Sequence, residues 1–255
     1  MQLKDKVIVI TGAAQGLGRA MAEMLAARGA RLALLDLERS QATLSEAVSA
    51  CQGLSSSLVR SYACDVANEE QVCTTFARIA EEFGQIDGLI NNAGIVRDGL
   101  TLKYKDGELS KMSLAQWQSV LDVNLTGLFL CTREAAAQMV LRKTGGVIVN
   151  ISSISRAGNA GQANYTAAKA AVAADTVTWA KEFARYGIRV GAIAPGFIET
   201  EMVASMKPEA LQRMAEGIPL KRLGQPQEIA HAACFILEND YFTGRVVEVD
   251  GGLRL

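Results

Sequence analysis

The chain has 255 residues, of which 49% are apolar and 21% charged, and its formal net charge is −1. This composition suits a protein with a full hydrophobic core, and it gives no reason to expect nucleic acid or an anionic membrane as a partner. No apolar run is long enough to span a bilayer, and the residues before Val7 leave no room for a signal peptide. We therefore predict a cytoplasmic protein without a membrane or nucleic-acid partner.

Cysteine and histidine predict neither a disulfide framework nor a metal site. The five cysteines are scattered, odd in number and form no Cys-x-x-Cys pair, which is typical of reduced thiols in a cytosol. The only histidine, His231, falls inside a helical pattern, where a structural role is expected. We predict no bound metal.

Segments typical of strands and helices alternate along the chain, beginning with a strand at Val7–Thr11 and a helix over Gly16–Arg28. The other predicted strands are Arg31–Asp36, Ser57–Asp65, Gly88–Asn91, Gly146–Ser152, Arg189–Ala194 and Val246–Val249. The other predicted helices are Glu38–Cys51, Asn68–Phe83, Ser113–Arg142, Asn164–Tyr186 and Pro226–Leu237. This alternation predicts an α/β fold: one Rossmann-like, doubly wound, seven-stranded parallel sheet with helices on both faces, in a single domain over residues 1–255.

Two segments interrupt the alternation. Asp98–Met112 is polar, and Pro195–Gly224 is rich in proline and glycine. Both follow strands, so we expect both over the carboxyl ends of the sheet, where open α/β folds bind ligands. We interpret them as loops beside the site, with residues 195–224 as a lid over the substrate.

The first strand runs directly into a glycine-rich turn and a helix. Gly12, Gly16 and Gly18 have the spacing Gly-x-x-x-Gly-x-Gly. The unpaired N–H groups and the dipole of a helix N-terminus favour a phosphate, and glycine lets the backbone approach it closely. The turn predicts a pyrophosphate site, although a glycine turn after a strand is also common without any nucleotide.

Two acidic residues follow the next two strands. Asp36 ends the second strand, eighteen residues after Gly18. A carboxylate there accepts hydrogen bonds from the adenosine ribose and repels a 2′-phosphate. Capping of the following helix is the alternative role for Asp36, and the two roles do not exclude each other. Asp65, after the third strand, is expected either to contact the adenine or to cap the strand end.

Ser152, Tyr165 and Lys169 form a second cluster. Ser152 closes the fifth strand of the predicted sheet, Tyr165 follows thirteen residues later, and Lys169 lies one helical turn beyond Tyr165. A phenol with a pKa of about 10 exchanges protons poorly at neutral pH, but a neighbouring ammonium lowers that pKa. We predict Tyr165 as the proton donor or acceptor and Ser152 as a hydrogen-bond donor to a substrate oxygen. Tyr-x-x-x-Lys also arises by chance on helices, so this interpretation depends on the glycine turn upstream.

Taken together, these motifs resemble the short-chain dehydrogenase/reductase family along the whole chain. The matching motifs are Thr11–Gly18, Asn91–Gly94, Asn124, Ser152, Tyr165-x-x-x-Lys169 and Pro195-Gly196. The segments most similar to the 3-oxoacyl-(acyl-carrier-protein) reductase branch are Asn91–Asp98, Gly161–Lys169, Ala194–Thr200 and Gly244–Gly252. The resemblance implies an oxidoreductase that moves hydride between a nicotinamide dinucleotide and a ketone or secondary alcohol, with a 3-oxoacyl or 3-hydroxyacyl thioester as the favoured substrate.

The resemblance also implies a role for each site residue. Tyr165 is the general acid, Lys169 lowers its pKa and holds the nicotinamide ribose, and Ser152 polarises the carbonyl. Asn124 holds a water that links Lys169 to solvent. By residue type alone, Asn124 would instead be interpreted as a residue that kinks a helix. Asn91 lines the adenosine side of the cofactor. The other implied cofactor contacts are Gly12, Gln15, Gly16, Leu17, Gly18, Asp36, Asp65, Val66, Asn92, Ala93, Gly94, Tyr165, Lys169, Pro195, Gly196, Ile198 and Thr200.

Two departures from that branch concern the ligands. Relatives that use NADP usually carry a basic residue where this chain has Gln15, and they usually lack an acid at Asp36. Both changes predict NAD(H) in preference to NADP(H). The segment Gly99–Met112 looks longer than is usual, which leaves the acyl chain and its carrier open.

A third departure concerns the docking of an acidic acyl carrier protein. The resemblance implies basic residues at two places that contact the carrier protein. Arg142 and Lys143 offer positive charge near the first place. At the second place the expected position is Tyr186, and Arg185 lies one residue before it. One residue corresponds to about 100° around a helix, so we expect that charge to point to a different side. A solvated face is the alternative for these basic residues.

Two other functions stay open. The same chemistry on another alcohol, sugar, polyol or steroid is one, and a non-catalytic dinucleotide-sensing protein is the other. The intact Ser152, Tyr165 and Lys169 argue against the second. The family usually forms homotetramers through the two long helices and the last strand. The alanine-rich stretches of those helices fit a homotetramer, and burial within one subunit explains them equally well.

Overall fold

The computed structural model describes residues 1–200, 203 and 208–255. The strands of this part are β1 (Val7–Thr11), β2 (Arg31–Asp36), β3 (Val59–Ala63), β4 (Gly88–Asn91), β5 (Leu102–Lys105), β6 (Glu108–Lys111), β7 (Gly146–Ile151), β8 (Ile188–Pro195) and β9 (Val246–Val249). The helices are α1 (Gly16–Ala27), α2 (Gln41–Leu54), α3 (Glu69–Phe83), α4 (Leu114–Leu121), α5 (Leu128–Arg142), α6 (Ala163–Phe183), α7 (Pro208–Gly217) and α8 (Pro226–Glu238).

Within the described residues, seven strands form one parallel sheet in the order β3-β2-β1-β4-β7-β8-β9. The chain winds outward from β1 to β3 and then returns to place β4 on the other side of β1. This reversal opens a crevice at the carboxyl ends of β1 and β4, which is where a doubly wound sheet binds its ligand. The predicted Rossmann-like fold is confirmed.

Helices cover both faces of the sheet, so the central strands are apolar on both sides. Ile8 and Ile10 of β1 pack toward α1, α2 and α8, while Val7 and Val9 pack toward α3, α5 and α6. All four side chains are fully buried. Among the described residues, no helix combines the length and the apolar character needed to cross a membrane.

Most predicted elements are observed with small shifts of their ends. β1, β2, β4 and β9 have the predicted bounds, and β3 is shorter than the predicted Ser57–Asp65. The predicted helix starts at Asn68 and Ser113 are observed: Asn68 Oδ1 accepts a hydrogen bond from Gln71 N, and Ser113 Oγ accepts one from Gln116 N. A side chain at each of these starts therefore satisfies one of the otherwise unpaired amides. The helix predicted from Glu38 begins instead at Gln41.

The long helix predicted over Ser113–Arg142 is interrupted by a π-helical segment at Asp122–Gly127. Its last residue has no room for a side chain, since a Cβ on Gly127 would lie 2.8 Å from Val66 Cγ2 and 2.9 Å from Val66 O. Such widened turns are frequent at functional sites. This one carries Asn124 and lies against the end of the third strand segment.

The segment Asp98–Met112, predicted as a loop, contains an antiparallel hairpin of β5 and β6. Its turn is formed by Asp106 and Gly107, both with positive φ, at 53° and 85°. Asp-Gly between two short strands is a strong hairpin signal, because a two-residue turn of this type needs positive φ at both positions. The loop interpretation was therefore wrong, and the sequence held the signal for the correct one.

Candidate active site

The glycine turn after β1 is a cradle made of bare backbone. Gly12 and Gly16 have positive φ of 64° and 56°, and a Cβ on Gly18 would lie 2.1 Å from Gly12 O. Asn92 Nδ2 ties the turn to the end of β4 by donating to Thr11 O at 3.0 Å and Gly12 O at 2.9 Å. The residue that precedes α1, Gln15, makes no capping bond. The helix N-terminus is therefore open to an anion, as a pyrophosphate requires.

A cavity of about 590 Å³ lies over this turn at the sheet crevice. The predicted cofactor residues that line it are Gly12, Gln15, Gly16, Leu17, Asp36, Asp65, Val66, Asn92, Ala93, Gly94 and Thr200. The structure thus brings together residues from five separate segments of the chain. The bare glycine turn, the carboxylates and the size of the cavity fit a dinucleotide.

Six predicted cofactor contacts lie outside the lining of this cavity: Gly18, Tyr165, Lys169, Pro195, Gly196 and Ile198. Gly18 lies beneath the turn, against Gly12 O. Ile198 is 6% exposed and belongs to the hydrophobic core beside a separate cavity of about 40 Å³. A Cβ on Gly196 would lie 2.7 Å from Asp250 Cα, so this glycine serves a close approach to the chain end.

The cavity also has lining residues that the sequence analysis did not predict: Leu37, Arg39, Ser40, Cys64, Ile95, Arg97 and Val123. Several directly follow predicted positions at the carboxyl ends of strands, so proximity in sequence was the available signal. Arg39 also lines an adjoining cavity of about 700 Å³ beyond β3.

Asp36 lies at the rim of the cavity with a well-anchored carboxylate. Its Oδ2 accepts a hydrogen bond from Ala14 N at 3.0 Å, and its Oδ1 accepts one from Leu37 N at 2.8 Å. Ser40, not Asp36, precedes α2, so capping of that helix is not its role. Each carboxylate oxygen keeps acceptor capacity for a further donor. Asp65 Oδ1 accepts a hydrogen bond from Ala67 N in the turn after β3, and Asp65 also lines the cavity. Both a cap at the strand end and a contact with the adenine are therefore compatible with the structure.

Tyr165 and Lys169 lie on neighbouring turns at the start of α6. Lys169 is 3% exposed, and its Nζ donates to Ile151 O at 2.7 Å and lies 5.6 Å from the centre of the Tyr165 ring. Burial lowers the pKa of Lys169 to about 8. The pKa of the Lys169 ammonium therefore lies close to neutral pH, and the group is one helical turn from the Tyr165 phenol.

The pKa of Tyr165 differs from the prediction. Burial raises the pKa of the phenol above its usual value, an interaction with the Ser153 side chain lowers it, and the negative charge of Asp98 raises it. The loss of water around the phenol thus outweighs stabilisation of the phenolate, because Lys169 directs its Nζ to a main-chain carbonyl. In this structure Tyr165 is a neutral proton donor.

The two serines at the end of β7 have different partners. Ser152 is 1% exposed, and its hydroxyl donates to Lys169 O at 2.8 Å. Ser153 instead interacts with the phenol of Tyr165, while its Oγ accepts from Ser155 N at 3.1 Å. Successive side chains of an extended segment point to opposite sides. The structure therefore places Ser153 beside Tyr165, whereas the prediction had assigned that position to Ser152.

Two predicted asparagines serve the scaffold through their side chains. Asn124 is fully buried; its Oδ1 accepts from Ile95 N at 2.7 Å and its Nδ2 donates to Ile95 O at 2.9 Å. Its amide thus positions the segment after β4 that lines the cavity, and the water link to Lys169 that the resemblance implies stays a prediction. Asn91 is 2% exposed and donates to Thr132 and Asn150, so it belongs to a buried polar network and not to the adenosine contact that was predicted.

The basic residues considered for carrier docking are exposed, with local partners. Arg142 donates to Gly84 O at 2.8 Å, and Arg185 lies over the ring of Tyr186 at 4.8 Å. Lys143 ends α5 in a left-handed conformation. These contacts leave the charges at the surface, and they orient Arg185 toward its own neighbour.

Comparison with known proteins defines the class. The model of the family described as "Enoyl-(Acyl carrier protein) reductase" matches residues 12–254. The chain belongs to the short-chain dehydrogenase/reductase family, whose members use NAD(P)(H), and it is an oxidoreductase acting on CH–OH groups.

Individual relatives are similar over their full length. The chain is 40% identical to the 3-oxoacyl-(acyl-carrier-protein) reductase FabG of Thermotoga maritima, over 99% of each chain. It is 39% identical to the human 3-oxoacyl-(acyl-carrier-protein) reductase, over 98% of this chain and 99% of that one. Among solved structures, NAD⁺-bound xylitol dehydrogenase matches with a TM-score of 0.87 at 32% identity, over 99% of this chain and 100% of that one. Levodione reductase matches with a TM-score of 0.87 at 36% identity, over 98% and 97%.

Proposed function

We propose that this chain is an NAD(H)-dependent oxidoreductase that interconverts a 3-oxoacyl thioester and its 3-hydroxyacyl partner. The observation that carries the thioester is the name shared by relatives at 40% and 39% identity over nearly the whole chain. Acyl carrier protein or coenzyme A would carry the acyl group. Residues 1–255 would act as one domain with residues 195–224 as a lid, of which 201–202 and 204–207 lie outside the described residues.

The preference for NAD(H) follows from charge at the ribose end of the cavity. A 2′-phosphate placed beside Asp36 would face an anchored carboxylate, while Gln15 offers no positive charge. Repulsion that exceeds about 1.4 kcal/mol gives a tenfold preference. Arg39 and Arg97 line the same cavity, so their charge would set how large the preference is.

The dinucleotide, when bound, supplies the hydride for ketone reduction or accepts it from the alcohol. Its pyrophosphate would lie on the backbone of the turn from Gly12 to Gly18, where no side chain intervenes. Asp36 would accept hydrogen bonds from the adenosine ribose, and Lys169 would hold the nicotinamide ribose.

The proton chemistry would be carried by Tyr165 and Ser153. Tyr165 donates its phenolic proton to the carbonyl oxygen as that oxygen becomes a hydroxyl, and Ser153 donates a hydrogen bond to the same oxygen. Lys169, with a pKa lowered to about 8 by burial, carries its positive charge at neutral pH and favours the phenolate left behind. Asn124 acts as a positioning residue through Ile95.

A second candidate is an NAD⁺-dependent dehydrogenase of a sugar or polyol. The close structural likeness to NAD⁺-bound xylitol dehydrogenase supports it. The catalytic residues would keep their roles, and only the substrate would change.

A panel of substrates and cofactors on purified protein separates these candidates. Acetoacetyl thioesters of coenzyme A and of acyl carrier protein, xylulose and a cyclic ketone would each be offered with NADH and with NADPH at matched concentrations. We expect the thioesters with NADH to give the highest kcat/KM. Inert thioesters with rapid turnover of xylulose would instead select the second candidate.

A further inference from the structure

Tyr165 lies where its helix is least fixed by its own hydrogen bonds. It belongs to the first turn of α6, which begins at Ala163. The amides of a first helical turn have no partner within the helix, so other groups must hold that turn in place. The chain enters α6 through Gly158 and Gly161, whose φ angles are positive, at 119° and 85°. Glycine restricts the backbone least, so the start of α6 depends on contacts with other elements.

One buried side-chain amide supplies such contacts. Asn164 is fully buried, and its Oδ1 accepts a hydrogen bond from Tyr165 N at 2.8 Å. Its Nδ2 donates to Arg97 O at 3.1 Å and to Gln116 O at 3.3 Å. Both donors of the amide group are therefore used. The amide joins three elements: the first turn of α6, the segment after β4, and α4.

The same elements are also joined by contacts nearer the surface. Gly99 N donates to Gly161 O at 2.8 Å, and Gln162 Nε2 donates to the Asp98 carboxylate at 3.1 and 3.2 Å. Gln116 Nε2 donates to Asp98 O at 3.2 Å. The contacts of the two glutamine side chains are exposed, so water can take their place. Loss of a buried hydrogen bond costs more, because water does not replace the missing partner.

The body of α6 is held by different contacts. Lys169 Nζ donates to Ile151 O at 2.7 Å, and Thr176 Oγ1 accepts a hydrogen bond from Asn150 Nδ2 at 3.0 Å. Both contacts fix the helix to β7 without the amide of Asn164. Removal of that amide is therefore expected to loosen the first turn of α6 and to leave the later turns in place.

We propose that Asn164 is a positioning residue for proton transfer, because its amide holds the main chain at Tyr165 and so fixes the phenol relative to the substrate oxygen. The inference rests on the proton-donor role proposed above for Tyr165. Arg97, whose carbonyl group the amide contacts, also lines the cofactor cavity. The amide thus sets the phenol in register with the wall of that cavity. A displacement of about 1 Å at a reaction centre can cost on the order of a hundredfold in rate.

Two substitutions of Asn164 test the proposal, with a third on the same helix as the control. Asn164→Asp keeps the acceptor for Tyr165 N and removes the amide donors, whereas Asn164→Ala removes the whole group. Thr176→Val takes the acceptor from Asn150 at a fully buried position farther along α6. Each full-length protein would be assayed with NADH and the panel substrate that the wild type reduces fastest.

The kinetic result separates positioning from stability. We expect kcat to fall about tenfold to a hundredfold in both Asn164 variants, while the dissociation constant of NADH stays unchanged. The solvent isotope effect on kcat should exceed that of the wild type, because transfer of the proton has become slower. Thr176→Val should lose stability, keep most of its kcat and keep the wild-type isotope effect.

Hydrogen exchange provides a readout that needs no turnover. Peptides that contain the first turn of α6 would be followed by mass spectrometry in the protein without substrate. In Asn164→Ala we expect the amide of Tyr165 to exchange at least about tenfold faster than in the wild type, since the bond that protects it is gone. In Thr176→Val the exchange of this turn should be unchanged.

Wild-type kcat in Asn164→Asp would overturn the proposal, and so would an equal loss of kcat in Thr176→Val or unchanged exchange of the first turn in Asn164→Ala. A lower kcat without a larger isotope effect would also overturn it, because Asn164 would then serve stability alone. If Asn164→Ala does not fold, the nearly isosteric Asn164→Asp decides through its kinetics. Failure of the proposed function would look different: the wild type would reduce no member of the panel, and hydrogen exchange alone would then decide whether Asn164 holds Tyr165.

Discussion

The two sides of the crevice are built by different means. On the side of β1 and β4, the cofactor cradle is backbone: Gly12 and Gly18 leave no room for side chains, and Asn92 ties the turn in place. On the side of β7 and α6, the reaction centre consists of buried side chains, with Lys169 paired to a main-chain carbonyl and Ser153 beside Tyr165. A backbone cradle follows from local sequence, whereas a centre made of side chains depends on orientation in three dimensions.

Removal of the Tyr165 hydroxyl is expected to have the largest effect: it should abolish most of the turnover and leave cofactor binding intact. Tyr165→Phe takes away the proton donor, and general acid catalysis contributes roughly a hundredfold to ten-thousandfold, so kcat should fall about a thousandfold. Binding of NADH, measured by fluorescence titration, should stay unchanged because the cradle is untouched. Near-normal turnover would remove Tyr165 from the proton-transfer role.

The paired serines sharpen the description of the reaction centre. Ser153→Ala should lower kcat by about a hundredfold to a thousandfold, the range found for loss of one donor to a developing oxyanion. Ser152→Ala should keep most of the activity and lose about 1 kcal/mol of unfolding free energy, since its hydroxyl serves Lys169 O. Steady-state kinetics and urea unfolding of both variants make the comparison. The reverse ranking would restore Ser152 to the role that sequence spacing predicted.

The buried ammonium predicts a pH-dependent stability of the protein without cofactor. Because the pKa of Lys169 is lowered from 10.5 to about 8, the unfolded state binds more protons than the folded state between these values. Wild-type stability should therefore rise from pH 8 to 10.5 relative to Lys169→Met, by up to roughly 3 kcal/mol. Urea unfolding of both proteins across this range measures the difference. A gap that does not change with pH would show that Lys169 is not desolvated as described.

Cofactor choice is the smallest expected effect and tests the cradle side alone. Asp36→Ala removes the charge that would repel a 2′-phosphate, so the ratio of kcat/KM for NADPH over NADH should rise about tenfold or more. Arg39→Ala provides the matched control, because loss of a positive charge from the same cavity should lower that ratio. A wild-type preference for NADPH would contradict the assignment of Asp36.

The fold and the cofactor side were largely predictable from sequence, for physical reasons that particular residues make clear. The strand Val7–Thr11 is apolar on both faces because helices cover both sides of the sheet. Such a continuous apolar run can be recognised in a single sequence. The close approach of Gly18 to Gly12 O tolerates no other residue type, so the motif is visible without coordinates. Asp36 ends a strand at the sheet edge where ligands bind, and its role follows from that position.

Side-chain orientation and local backbone path were harder to predict, because a linear pattern does not contain them. Ser152 and Ser153 are the same residue type at adjacent positions, and only the path of the chain decides which one meets Tyr165. The side chain of Ile198 lies in the core beside Gly224, so its predicted cofactor contact would have to come from the main chain. The hairpin was missed for a different reason: its Asp106-Gly107 turn signal was present, but polar composition suggested a loop.

The central claim is that hydride crosses between a nicotinamide dinucleotide and the ketone carbon of a 3-oxoacyl thioester while Tyr165 supplies the proton. Reduction of acetoacetyl-coenzyme A with NADH deuterated at the transferred position, followed by mass spectrometry of the product, tests it most directly. We expect deuterium on the carbinol carbon of the 3-hydroxy product with the wild-type protein, and only traces in the same time with Tyr165→Phe. Product without deuterium, or equal labelling by the two proteins, would contradict the account.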